Sequence, residues 1–536
     1  MMSFTAKKSL WRNELVAMRV ALITPNVSKR PNNTNRLYSI GLLYLAAAVR
    51  EAGFEPYVYD AYFSNKDASE TTSFIVDAGR PDVIGFMINN EEMLSEAIEA
   101  YRLVSSAEYS MTPRLILGGH YASTHAEAIL KRYAEVSAVV VGEGENTLKA
   151  LLRDLANGGE IQPRKGLLLQ DAATVEQQTA CRSPLELSLD NLPGISWRDL
   201  HEKPQTNEWS LVTSRGCSAA CSFCVIGPHW SRYRQWRGHS AEWVVCNIQR
   251  LVDEEGCSYL QFVDDQFVGT PDSVKRAHRI VELMKIRKLS VPFYIMVRAD
   301  VVVQHPDLFR ALRSVGLDTV FIGMESAQPE TLIALNKECT VETSSKAFAI
   351  LAEMDVKVTV GTILFTPWST RSGILEEIIY LEEQMNLYPH FFFYGLNELD
   401  VIARTPLSKR IAGDMKDGLK QWQFNDTDVA GIYRQWRQFE DILLFPLMTS
   451  IGIANKREAR RRVCRWQLKC LRSLIERKTL NWTTCYAEAI SLLTGLNSTS
   501  ALSDFVGQVS MEKITHLATD YDGPTKPAAE RERCFL

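Results

Sequence analysis

No apolar run in the 536-residue chain approaches the roughly 20 residues that a bilayer span needs, so no membrane span is expected. Its first stretch, "MMSFTAKKSLWRNELVAM", has no apolar segment of signal-peptide type. Charge of one sign is also missing: 60 Lys and Arg face 64 Asp and Glu, for a net charge of -4. No global basic field recommends nucleic acid as a partner. The 11 cysteines lack the spacing of a small disulfide scaffold, and scattered thiols in a long chain read as reduced and cytoplasmic. No Gly-x-Gly-x-x-Gly follows the first strand, which disfavours a dinucleotide site. One further absence shapes the reading. In "TSRGCSAACSFCVIG", Cys217, Cys221 and Cys224 crowd together and no fourth cysteine stands nearby.

What is present is enough to build large cores: 46% of residues are hydrophobic and 23% charged. The length suggests about three domains. After a lead over 1–17, residues 18–158 alternate strands ("VALITP", "EPYVYDAYF", "DVIGFMI", "PRLILGG", "AVVVGEGE") with helices such as "YSIGLLYLAAAVREAG", which stops at Gly53. This alternation predicts a doubly wound parallel sheet of Rossmann-like form. Residues 159–206 lose the rhythm and read as a linker with a small hairpin. Over 207–410, "WSLVTS", "YLQFVDD", "PFYIMVRAD", "TVFIGMES", "KVTVGTILF" and "PHFFFYGLN" predict six strands separated by helices, a partial barrel of TIM type. In such folds chemistry gathers at the C-terminal strand ends. The polar residues Asp264, Asp265, Arg298, Asp300, Glu325 and Ser326 fall there. Residues 411–520 read as a helical domain and 521–536 as a disordered tail.

Three thiols in one loop admit two metal readings. With His229 they have the order of a structural Cys₃His zinc site, although a loop after the first strand of a large β/α unit does not need zinc to fold. The other reading is an iron–sulfur cluster. Thiolates usually hold four irons with four cysteines, so three leave one iron open to a small molecule.

Cys-x₃-Cys-x₂-Cys with the aromatic Phe223 before its last cysteine, placed after the first barrel strand, resembles the radical SAM superfamily. The resemblance implies a [4Fe–4S] cluster on Cys217, Cys221 and Cys224. S-adenosylmethionine (SAM) would chelate the open iron and be cleaved to a 5′-deoxyadenosyl radical. An external electron donor such as flavodoxin or ferredoxin would reduce the cluster. "FVDDQF" brings Asp264 and Asp265 toward the methionine amine, and "VRADVV" offers Arg298 to its carboxylate. "GMESAQPETLIALNK" resembles the fourth-strand pattern, with Glu325 and Ser326 facing SAM. "GTILFTPWST" departs from the family by carrying Phe365 and Thr366 where glycine is common, and "ARTPLSKR" matches the usual end only in part. Each carboxylate here has a plainer alternative as an ion-pair partner or helix cap.

The order of the first two domains is similar to that of cobalamin-binding radical SAM enzymes over roughly residues 18 to 410. This resemblance implies cobalamin over the first domain's strand ends, facing the cluster, with its nucleotide tail in a groove there. Thr24, Pro25, Asn26, Tyr38, Asn89, Asn90, Gly118, Gly119, His120, Gly142, Glu143, Gly144 and Glu145 are the expected contacts. Asp-x-His-x-x-Gly is absent, so His120 is expected to line a loop and not to ligate cobalt. Asn89 and Asn90 fit a ligand contact or a turn equally. The commonest reaction of that group is methyl transfer from SAM, through cobalamin, to an unactivated carbon of a small-molecule or carrier-bound substrate in natural-product biosynthesis. Oxidation, cyclisation or rearrangement without methyl transfer is the enzymatic alternative. A zinc-holding binding module is the alternative of another class. The basic stretch "NKREARRRVCRWQLKCLR" reads as a solvated helix face or as a lid over an acidic substrate. Cys464 and Cys470 lie six apart, without the Cys-x₂-Cys run an auxiliary cluster would need.

Overall fold

In the computed structural model, residues 18–27, 37–77, 79, 81–106, 112–169, 182–204, 206–229, 235–393, 395–416, 419–451, 457–477, 480–494 and 499–509 are described. The expected lead over 1–17 and tail over 521–536 lie outside the described residues, as does the side chain of His229. The chain divides into two compact units. The first comprises residues up to Asn26, Gly41–Pro184 and Leu192–Glu202; the second comprises Val27–Ile40, Leu185–Asn191 and everything from Lys203.

The first unit is a six-stranded sheet in the order β2-β1-β3-β4-β5-β6. Its strands are β1 (Arg19–Thr24), β2 (Glu55–Asp60), β3 (Val83–Met87), β4 (Arg114–Gly118), β5 (Val136–Val140) and β6 (Leu167–Leu169). The first five are parallel, because the helices between them return the chain to the same edge. β1 buries five of its six residues and β5 four of its five, as a sheet covered on both faces requires. One core packs Ile23, Phe86 and Leu117 beneath the helix Glu91–Ser106. The opposite core packs Val20, Ile116 and Val140 against the helices Ile40–Glu51 and Glu145–Gly158. The strand order reverses between β1 and β3, a switch point where parallel sheets of this kind open a crevice.

Two local expectations change. "EPYVYDAYF" does not stay extended: Asp60 accepts the backbone N–H of Phe63 and caps a short helix, Ala61–Ser64. The expected linker over 159–206 forms no hairpin among its described residues. Part of it supplies β6, which joins β5 in antiparallel fashion.

The second unit carries β7 (Glu208–Leu211), β8 (Ser214–Arg215), β9 (Arg237–Gly238), β10 (Tyr259–Phe262), β11 (Phe293–Val297), β12 (Leu317–Glu325), β13 (Lys357–Phe365), β14 (Phe391–Phe393) and β15 (Asn397–Glu398). The order β14-β13-β12-β11-β10-β7 follows the chain, and every pair on this path is parallel. This is the staircase of a β/α barrel, with β7 and β14 at the two ends of the path. Helices such as Ala241–Glu255, Pro271–Ile286 and Arg371–Leu387 connect successive strands. Ser240, Thr270 and Thr370 each cap one of these helices by accepting a backbone N–H in its first turn.

The C-terminal segment opens with a small antiparallel pair, Met415–Lys416 with Leu419–Lys420, before becoming helical from Thr427. The basic helix Arg457–Arg477 docks on the barrel. Arg461 donates to the carbonyls of Met385 and Pro389, and Arg472 pairs with Glu382 at 2.7 Å. Arg371 in turn donates to the carbonyls of Ile475 and Glu476 at the far end of that helix. Cys464 and Cys470 do not pair with each other: Cys464 faces the carbonyl of Phe393, and Cys470 lies 3.3 Å from Cys485. No described helix is long and apolar enough to cross a membrane.

Candidate active site

The cysteine loop leaves the end of β7 and is held by three consecutive residues that follow β10. Asp264 is 1% exposed, and its carboxylate accepts from Thr213 N (2.5 Å), Thr213 Oγ1 (2.6 Å) and Ser214 N (3.0 Å). Asp265 accepts from Gly216 N at 2.7 Å. Gln266 Oε1 accepts from Ser218 N (2.8 Å), Ser218 Oγ (2.9 Å) and the Cys217 thiol (3.2 Å). "DDQ" is therefore a clamp on the loop that bears the thiols. Burial pushes the Asp264 carboxyl up, while Arg276 and the Thr213 donors oppose that push. Arg276 holds the other side of the same backbone by donating to the carbonyls of Thr213 and His239. Gly216 has φ +86°, and a Cβ there would run into the carbonyl oxygen of Gln235. The loop can pass β9 only as glycine.

The far side of the loop is fixed by the segment after β12. Ser222 N donates to the carbonyl of Leu335 at 2.8 Å, and Asn336 Nδ2 donates to the carbonyl of Ala220 at 2.7 Å. Arg410, in the partly matching "ARTPLSKR", donates to Ser222 Oγ at 2.8 Å and to the carbonyl of Ala334 at 2.7 Å. Phe223 is half-buried and packs with Leu335, Ile363, Leu399, Val401 and Leu407.

Cys217, Cys221 and Cys224 are free thiols. Burial pushes all three upward, Cys224 to about 12, and the neighbouring thiols Cys221 and Cys217 push Cys224 further. Three crowded, desolvated sulfurs resist losing their protons until a cation compensates them. That donor set fits a thiolate-bound iron–sulfur cluster.

Two cations stand in the same neighbourhood. Lys337 Nζ pairs with Glu325 at 2.8 Å, with side chains 7% and 13% exposed. Burial works against the Lys337 charge, but Glu325 and Cys221 outweigh it and the ammonium is held strongly charged. Glu325 itself has φ +68°, at a register shift in β12. Arg298 follows β11. It is bidentate on Asp300 at 3.0 and 2.9 Å, and Glu338 lies 3.8 Å from its Nη1, which makes no hydrogen bond among the described residues. Ser326 is buried; it donates to Glu377 and accepts from Gln328 N. Asp265, Arg298 and Glu325 thus lie near enough for their charges to be felt at Cys217 or Cys221. The structure commits Asp264 to Thr213 and Ser214, and Ser326 to Glu377 and its own turn.

Sequence reasoning passed over Gln266, Lys337, Arg410 and Glu377. A signal existed for Glu377: Ile374, Glu377, Ile378 and Leu381 fall on the buried stripe of one helix, and an acid in such a stripe needs a partner.

In the first unit, Thr24, Pro25 and Asn26 end β1 at the switch point, and Thr24 Oγ1 is buried without a hydrogen-bond partner among the described residues. Gly118, Gly119 and His120 end β4. A Cβ on Gly119 would stand 2.6 Å from the carbonyl oxygen of Ile88. Asn89 is exposed and its Oδ1 accepts from His120 N, whereas Asn90 Oδ1 accepts from Met93 N and caps the following helix. Gly142, Glu143, Gly144 and Glu145 follow β5, with Gly142 at φ +94° and both glutamates buried. A bare backbone at two strand ends and an orphaned hydroxyl at a third suit a large ligand approached through main-chain groups. Tyr38 belongs to the second unit. Its hydroxyl donates to the carbonyl of Ser210 at 2.7 Å and accepts from Ser210 N at 2.9 Å.

Comparisons with known proteins agree with this division. The B12 binding domain profile matches residues 32–152, and that of the radical SAM superfamily matches residues 211–377. An uncharacterized methyltransferase of Pyrococcus horikoshii is 26% identical over 340 residues, covering 62% of this chain and 71% of that protein. The anaerobic magnesium-protoporphyrin IX monomethyl ester cyclase of Cereibacter sphaeroides is 25% identical over 323 residues, 58% of this chain and 51% of that one. The chain thus spans from about half to about seven-tenths of these relatives' lengths. In fold, it resembles the cobalamin-dependent S-adenosylmethionine radical enzyme OxsB, solved with aqua-cobalamin and S-adenosylmethionine bound. The TM-score is 0.72 at 16% identity, over 95% of this chain and 85% of the other.

Proposed function

The chain is a cobalamin-dependent radical SAM enzyme, and from that premise we propose that it transfers a methyl group from SAM to an unactivated carbon of a small-molecule or carrier-bound substrate in natural-product biosynthesis. The observation that carries the reading is a clamped loop of three free thiols on the same polypeptide as a Rossmann-like B12 binding domain. When bound, the cluster and cobalamin supply electron transfer to SAM and methyl carriage.

The chain's residues do the positioning. Cys217, Cys221 and Cys224 hold the cluster. Asp265 and Gln266 fix the backbone of the loop that carries the thiols, and a cluster held by three cysteines would leave one iron for SAM. The Arg298 guanidinium would meet the carboxylate and the Glu325 carboxylate the amine of the methionine moiety, with Asp300 and Lys337, which pair with them, as their supports. Phe223 gives that side an apolar wall. The strand ends of the first unit, with Thr24, Asn89, Gly119, His120 and Gly142, receive the corrin and its tail. An external one-electron donor such as flavodoxin or ferredoxin completes the system.

Anaerobic reconstitution with cobalamin and methyl-labelled SAM tests this against candidate substrates by mass spectrometry. A product carrying the labelled methyl is expected. A product that has lost hydrogen or closed a ring without label would replace this reading by the second one, which the cyclase relative favours. Purified protein with zinc and no iron or sulfide would defeat both.

A further inference from the structure

Glu377 lies on the helix Arg371–Leu387, 51 residues from the turn it holds, and is 1% exposed. Its Oε2 accepts from Ser326 Oγ at 2.9 Å and from Ala327 N at 2.7 Å. Ser326 Oγ accepts in turn from Gln328 N at 3.0 Å. Its Oε1 has no hydrogen-bond partner among the described residues. An acid buried this deeply without a cation costs stability, so what it holds has to matter. The residue immediately before the held turn is Glu325, a non-glycine at φ +68°. Such a backbone persists only where its surroundings over-determine it.

We propose that Glu377 is a positioning residue of the SAM site: by anchoring Ser326 and Ala327 it keeps Glu325 in its left-handed conformation, with the carboxylate on Lys337 beside the cysteine loop. Gly323 supports the same arrangement from below, since a Cβ there would run into the Glu325 carboxylate and stand 2.9 Å from Lys337 Nζ. Burial pushes the Glu377 carboxyl up to about 7, and only the Ala327 and Ser326 donors pull it down. The inference rests on the radical SAM reading for its effect on SAM, and on geometry alone for its effect on the turn.

The test uses the full chain with Glu377→Leu, Glu377→Gln and Ser326→Ala. Hydrogen exchange is followed in peptides covering residues 323–330 without any cofactor. SAM affinity and iron content are then measured after anaerobic reconstitution. Glu377→Leu is expected to speed exchange at Ala327 and Gln328 and to weaken SAM binding about tenfold, with iron unchanged. Glu377→Gln keeps an acceptor and should stay near wild type. Adding Ser326→Ala to Glu377→Leu should cost little more, because one network is lost once. Unchanged exchange together with unchanged SAM affinity in Glu377→Leu overturns the proposal. If that variant does not fold, Ser326→Ala alone carries the same two measurements. A wild-type protein that binds no SAM sinks the functional reading, and the exchange data then decide the positioning claim by themselves.

Discussion

Cys221 is the least exposed residue of the three loop cysteines, at 9%, and the Lys337–Glu325 pair is felt at its sulfur. Cys257 is buried too, yet its thiol faces the backbone of Tyr259 and Trp209 and lies outside the cysteine loop. The two make a controlled comparison. Cys221→Ala should remove most of the iron found after reconstitution, whereas Cys257→Ala should leave iron at the wild-type level; equal iron in both would separate the loop from the cluster. Gly323 provides a subtler probe. Gly323→Ala puts a methyl where the Glu325 carboxylate lies, so the ion pair must move. We expect a loss of about 1–3 kcal/mol in unfolding free energy from the overpacking. We also expect weaker SAM binding at normal iron content, read by equilibrium dialysis beside iron analysis.

At the scale of elements, the strands were the legible part. "PFYIMVRAD" and "KVTVGTILF" are β-branched and aromatic runs of strand length bounded by helix signals, and burial in a parallel sheet keeps such runs apolar. The carboxylates were less legible, because a strand-end position does not reveal which backbone donor lies across the barrel. Asp264 and Asp265 are neighbours in sequence, yet one serves Thr213 and Ser214 and the other Gly216. The buried stripe flags Glu377 as an acid in need of a partner, but the turn it holds, 51 residues away, was illegible for the same reason at longer range.

The turn before the helix Ala241–Glu255 gives a pH prediction. His239 is 1% exposed, stacks on Trp243 and lies 2.9 Å from Asp190. Burial pulls it down to about 4, Asp190 pulls it back up, and Arg215 and Arg276 add to the downward push. Asp190, held below the usual carboxylate range despite its burial by Ser240 and His239, stays charged throughout the window. Between about pH 6.5 and 4 the unfolded chain takes a proton that the folded chain refuses. Stability is therefore lost as the pH falls through that window. Relative to His239→Gln, the wild type should lose on the order of 3 kcal/mol between pH 7 and 4, measured by urea unfolding at both ends. A constant difference between the two proteins would refute the assignment.

For the whole molecule, the division into two units, each with buried apolar clusters of its own, sets the pattern of ligand stabilisation. A ligand that binds only the folded form stabilises the unit that holds it, by about 2.7 kcal/mol at a hundredfold excess over its Kd. Units with their own cores open separately in hydrogen exchange. Cobalamin should therefore slow exchange in peptides spanning β3, β4 and the loops after them, whether or not iron is present, because the candidate residues Asn89, Gly119 and His120 lie on main chain that needs no metal to form. SAM should slow exchange near Arg298 and Glu325 only in iron-loaded protein, because on the proposed reading its strongest anchor would be an iron held by three cysteines. Protection by SAM that is equally strong in iron-free protein would mean that Arg298, Glu325 and their partners bind it alone. The three-thiol loop would then need another explanation.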